Sequence, residues 1–164
     1  MRRLLAVAAL CALAGCSKPV TPPTAGPPAP TPAVTPSSTA AGQYAANTQA
    51  VCTSINGVVR EGAARFATDL GAMVGHLAGG NQPEADRSRK SAQGRLTELA
   101  AKVRSAGATA ADPVLVSAVG TVASRYDALA ADPAFLAGVK TVSDVPAANQ
   151  RVAAATDPLG GVCG

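Results

Sequence analysis

The sequence predicts an all-α fold, a single antiparallel four-helix bundle with a broken last helix, carried behind a disordered proline-rich tether. Three observations predict it. Apolar residues recur every three or four positions through almost all of residues 43–164, and no stretch alternates as a strand would. Asp-Pro pairs at 112–113 and 132–133 and a Gly-Gly pair at 79–80 punctuate the pattern where helices start and stop. A span of roughly 120 residues is the size of one domain with one core.

The first helix is expected from Gln43 or Thr48 to Ala78. Val51, Ile55, Val58, Gly62, Phe66, Leu70, Met73 and Leu77 form its apolar stripe, and Gly79-Gly80 stops it. Asn81 with Glu84 three positions on reads as a capping box for the second helix. That helix runs to about Ser105, turns Ala85, Ala92, Leu96, Leu99 and Val103 inward, and ends at Gly107. Asp112-Pro113 opens the third, which buries Leu115, Ala118, Val119, Val122, Tyr126 and Leu129. Asp132-Pro133 opens a short piece with Phe135, Leu136 and Val139. A last piece runs from near Asp144 to Thr156 and carries Val145, Ala148, Val152 and Ala155. Asp157-Pro158 and Gly160-Gly161 then read as a turn that bends the chain back.

The amino terminus has a different character. Arg2 and Arg3 precede an apolar run from Leu4 to Leu13, which is too short to stay in a bilayer as a spanning helix. Leu13-Ala14-Gly15-Cys16 then matches the lipobox at all four positions, and Ser17-Lys18 follows. In these residues the chain resembles the bacterial lipoprotein class. The resemblance implies cleavage before Cys16, so that residues 1–15 are a signal peptide and Cys16 carries acyl chains such as palmitate. Each buried acyl methylene contributes about 0.8 kcal/mol, so two or more chains anchor a protein almost permanently. The expected location is the extracytoplasmic face of a bacterial cell membrane. Residues 16–42 hold eight prolines between Pro19 and Pro36, with few groups able to build a helix or a core. They read as an extended tether that reaches on the order of 70 Å.

With Cys11 in the signal and Cys16 lipidated, Cys52 and Cys163 remain. An exported chain folds where disulfides persist. An up-down-up-down bundle also places the end of its last helix beside the start of its first. A Cys52–Cys163 disulfide is therefore expected, enclosing about 110 residues and contributing up to about 4.7 kcal/mol in the chain-entropy account. A metal pair would want more ligands than the single His76 supplies, and a redox pair would want Cys-x-x-Cys spacing.

No nucleophile elbow, zinc-protease helix or phosphate loop is present in the sequence. His76, at the glycine-rich end of the first helix, reads as a capping or solvated residue. Glu61, Arg65 and Asp69 read as a surface i,i+4 salt ladder. Gly71-x-x-x-Gly75, with Gly57 and Gly62, reads as a set of positions where a neighbouring helix comes close. The second helix groups Arg87, Arg89, Lys90, Arg95, Lys102 and Arg104 against Glu84, Asp86 and Glu98. Of these, Arg87, Lys90, Arg95 and Lys102 are candidates for contact with an anionic wall polymer or with headgroups, a solvated face being the plainer reading. Without Arg2 and Arg3 the fourteen basic residues become twelve against ten acidic, a net charge of +2 that does not point to nucleic acid.

The functional expectation is a lipid-anchored, non-catalytic binding or scaffolding module of the cell envelope, without cofactor or metal. Its partners would be the membrane, through Cys16, and another envelope protein or a wall polymer. The alternative is a sensor or carrier of a small apolar ligand lined by Phe66, Met73, Tyr126 and Phe135. A cell-wall enzyme is a third reading, and it would need a polar cleft at His76 or at the Glu61/Asp69 face.

Overall fold

The computed structural model describes residues 39–164; the signal and lipobox, and the tether up to residue 38, lie outside the described residues. Every regular element described is helical. The order is α1 (Thr39–Ala78), α2 (Gln82–Gly107), α3 (Pro113–Ala131), α4 (Pro133–Ala137), a 3-10 turn (Val142–Asp144), α5 (Val145–Ala154) and α6 (Asp157–Cys163). No helix among them is long and apolar enough to cross a membrane.

Helix α1 starts at Thr39, four residues before the earliest expected start. The Ala-rich stretch after Pro36 contains no further proline until Pro83, so nothing in the sequence breaks the helix there. Val51, Ile55, Phe66, Leu70 and Met73 are buried along the expected stripe, joined by Cys52 and Val74, with Val58 and Leu77 packed at its edge. At its end Gly80 takes φ +71°. Asn81 N–H donates to the His76 carbonyl (2.9 Å) and Gly80 N–H to that of Leu77 (3.1 Å), which satisfies carbonyls the helix leaves open.

The box expected at α2 is only half formed. Asn81 Oδ1 accepts from the Glu84 N–H, but Asn81 N–H is committed to His76 and the Glu84 carboxylate turns to Arg87. The two Asp-Pro starts cap as their sequence implies. Asp112 Oδ1 accepts from Val114 N–H (2.8 Å) and Asp132 Oδ1 from Ala134 N–H (2.9 Å). Asp132 also closes α3, so α3 and α4 meet at one residue and the proline redirects the chain.

The tail departs from its expected turn. Residues Asp157–Cys163 form α6, with Leu159 buried. Asp157-Pro158 is a third Asp-Pro pair, and its proline suits a first helical turn just as the other two do. Two glycines disfavour this helix by about 1 kcal/mol each, and the packing of Leu159 and the attachment at Cys163 outweigh them.

Helices α1 and α2 run antiparallel. Asn47 near the start of α1 meets Thr109 and Ala111 beyond α2, while Asp69 meets Ser91 and Arg95 near the start of α2. Helices α2 and α3 are likewise antiparallel, with Gly107 against Val119 and the Gln93 amide donating to the Ala130 carbonyl (3.0 Å). Further packing joins α3 to α6 and α1 to both α5 and α6. Small residues matter at two crossings. A Cβ on Gly62 would lie 2.6 Å from Leu99 Cδ1, and one on Gly107 would lie 2.8 Å from Val119 Cγ2. The other glycines expected at close approaches, Gly57, Gly71 and Gly75, have nothing within 4 Å of a built Cβ. Gly71 and Gly75 lie on the solvent side of α1, so their spacing does not mark a helix crossing.

Candidate functional site

The two cysteines come together at the open end of the fold. Cys52 is buried in α1, Cys163 ends α6, and their Cα atoms are 5.6 Å apart in disulfide geometry across a sequence separation of 111. Close by, the Asn47 side chain uses both ends of its amide on the α2–α3 loop. Its Nδ2 donates to the Thr109 carbonyl (3.0 Å), and its Oδ1 accepts from Ala111 N–H (2.9 Å).

The charged face of α2 is interleaved rather than uniformly basic. Arg95 bridges Asp69 (3.2 Å) and Glu98 (3.1 Å), and Lys102 reaches Glu98 at 2.8 Å. Hydrogen bonds from Lys102 and then Arg95 hold the Glu98 carboxyl below the usual carboxylate range. Arg87 pairs with Glu84, Arg89 with Asp86, and Arg104 with Asp127. The Glu61–Arg65–Asp69 ladder is broken. Arg65 pairs with Glu61, while α2 claims Asp69 through Ser91 Oγ (2.8 Å) and Arg95. His76 stands half-buried in the last turn of α1. No cluster of three potential metal ligands occurs among the described residues.

Phe66, Met73, Tyr126 and Phe135 are all buried. Phe66 and Phe135 stack with centroids 6.2 Å apart and planes 4° from parallel, and Arg151 lies 4.6 Å over the Phe135 ring. These contacts make the two phenylalanines parts of a packed core. Tyr126 is in a different situation. It borders a recess of about 390 Å³ walled by α1 and α5, and its hydroxyl is buried with no hydrogen-bond partner among the described residues. Desolvation pushes its pKa up to about 12. A second recess, of about 440 Å³, lies on the other flank of α5, between Leu129 of α3 and Ala154. There Arg125 Nη1 donates to the Ala154 carbonyl (3.1 Å), and Arg151 approaches Asp132 at 3.4 Å.

Three of these features escape a reading of the sequence. Asn47 is one polar residue in a helical segment, Gly107 looks like a stop signal, and Tyr126 looks like an ordinary core aromatic. Only their neighbours in space give them roles.

The fold and its sites define a small all-α protein with apolar recesses flanking its last long segment. Comparison with known proteins adds no relative: no family model, no curated protein and no solved structure matches the chain.

Proposed function

We propose that the chain is a lipid-anchored extracytoplasmic module that binds or scaffolds at the bacterial cell envelope without catalysis. The observation that carries this reading is the lipobox, Leu13-Ala14-Gly15-Cys16, behind a charged start and a short apolar run. The disulfide geometry of Cys52 and Cys163 supports it, because such a bond persists where exported proteins fold. In this reading α4, the 3-10 turn, α5 and α6 act together as the broken fourth rod of an antiparallel bundle. The bond from Arg125 to Ala154 and the nearness of Cys163 to Cys52 favour that arrangement. The bundle then follows a proline-rich stretch that begins at the lipidated Cys16. Lys90, exposed and without an ion pair among the described residues, is the place where an anionic polymer would touch, with the paired Arg87, Arg95 and Lys102 elsewhere along α2.

Labelling cells with an alkyne analogue of palmitate tests the anchor. Full-length protein should take up the label and Cys16→Ala should not. Equal labelling of both, or of neither, overturns the reading.

The second reading, a carrier of a small apolar molecule, has in its favour a recess of about 390 Å³ between α1 and α5, bordered by Tyr126 alone of the four residues expected to line it.

A further inference from the structure

The recess of about 440 Å³ lies where α3 and α5 face each other without close packing. Helix α3 packs on α2 and α6, and α5 packs on α1, so a trough stays open between the two. Its apolar lining is made of small or half-covered side chains. Leu129 is half-buried in it, and Ala128 of α3 and Ala154 of α5 are exposed along its sides. Longer side chains at the two alanines would have filled the space.

Two guanidiniums border the same trough, and both arginines are exposed to solvent. Arg125 Nη1 donates to the Ala154 carbonyl (3.1 Å). Arg151 lies 4.6 Å over the Phe135 ring, and its Nη2 is 3.4 Å from Asp132 Oδ2, which is long for a charge-assisted hydrogen bond. Asp132 spends its other oxygen on the Ala134 N–H (2.9 Å). Among the described residues, each arginine thus commits one N–H of its fork and keeps the others open to solvent. Two guanidiniums against the one carboxylate of Asp132 leave the recess a net charge of +1.

We infer that this recess is a binding site for a small carboxylate with an apolar tail, its head held by Arg125 and Arg151 and its tail lying along Leu129, Ala128 and Ala154. The inference goes beyond the envelope reading and does not depend on the lipid anchor.

The charge balance selects the head group. A monoanion neutralises the recess, whereas a cation meets two guanidiniums and an uncharged group leaves both with water alone. A planar carboxylate matches the guanidinium fork with paired N–H···O bonds. Both arginines are already held by protein contacts, which lowers the ordering cost of binding. The lining selects the tail. A space of about 440 Å³ lies at the small end of ligand pockets and suits an alkyl chain of about eight carbons. The trough is open along its exposed alanines, so part of the chain stays wet and the affinity is modest.

Octanoate and its uncharged counterpart 1-octanol are the probes, titrated into full-length protein labelled with 13C in its leucine methyl groups. Octanoate should shift the Leu129 signals saturably and leave in place those of Leu99, which faces Gly62 where α1 and α2 cross. It should bind about tenfold tighter than octanol, since two exposed ion pairs contribute up to about fivefold each. In the double variant Arg125→Gln/Arg151→Gln that preference should fall to within about twofold. Arg65→Gln, which removes an arginine from the α1–α2 face, should keep it. Ala128→Phe, at an exposed position of α3, should block both probes while circular dichroism shows the helices intact. An unresponsive Leu129 signal, equal affinity for the two probes, an unchanged preference in the double variant, the same loss in Arg65→Gln, or unchanged binding in Ala128→Phe overturns the inference.

Discussion

Replacing Cys52 and Cys163 together by alanine isolates what the covalent link between them contributes. The link spans a separation of 111 residues. In the chain-entropy account, closing such a loop removes about 16 cal/mol/K from the unfolded chain, or about 4.8 kcal/mol at 25 °C. Unfolding entropies near 2.1 cal/mol/K per residue give roughly 0.25 kcal/mol/K for a domain of about 120 residues. The melting temperature should therefore fall by up to about 19 °C, and by somewhat less where the unfolded chain keeps residual structure. Cys52 is buried, so loss of its sulfur adds a small packing term of about 1 kcal/mol. The assay is thermal unfolding followed by circular dichroism, with reduced wild-type protein as the control for that term. Reduced wild type and the double variant should melt within a few degrees of each other, both well below the oxidised protein. A drop of less than about 4 °C on reduction, equivalent to about 1 kcal/mol, would refute the reasoning.

Two further outcomes follow from local geometry. Gly107→Ala drives a Cβ into Val119 and should cost about 1–3 kcal/mol by urea denaturation, whereas Gly71→Ala, with open space around it, should gain about 0.5–1 kcal/mol; shifts of the same sign would contradict the packing described. Asp144 Oδ2 accepts from the Thr141 hydroxyl (2.8 Å) and from the N–H groups of Thr141 (2.9 Å) and Lys140 (3.1 Å), which hold its carboxyl below the usual range, the hydroxyl most strongly. Because the folded pKa is the lower one, this stabilisation is fully present above the unfolded value of about 3.9 and is lost as pH falls through the folded value. The stability gap between wild type and Asp144→Asn should accordingly narrow from pH 5 to pH 2, and a gap that stays constant would remove the role assigned to Asp144.

The helices were legible because they rest on local chemistry. A stripe such as Val51, Ile55, Phe66, Leu70 and Met73 announces both the element and its inner face, and the Asp-Pro pairs at 112–113 and 132–133 cap the helices they open, while Asp157-Pro158 opens α6 without a side-chain cap. Where the sequence misled, the deciding partner was distant. Gly71 and Gly75 have the spacing of a helix crossing but face solvent, and Gly62 and Gly107 differ from them only in what stands opposite. Asp69 has the spacing to pair with Arg65, yet α2 offers it Ser91 and Arg95 together. The tail illustrates the reverse error. Two glycines made α6 look like a bend, while Leu159 and Cys163 held that stretch against the core. The recess beside Tyr126 has no signature along the chain at all, because its lining comes from α1, α3 and α5 and meets only in the folded protein.

The position of Asn47 has a mechanical consequence. A pull applied between the start of α1 and the end of the chain first loads the turns ahead of Cys52. The hydrogen bonds that the Asn47 side-chain amide makes with the Thr109 carbonyl and the Ala111 N–H are what resist it there. Once those part, the force passes through Cys52 directly to Cys163, and α2, α3 and α5 lie outside the load path. The protein can thus yield by a few helical turns under tension while the body that carries its recesses keeps its shape.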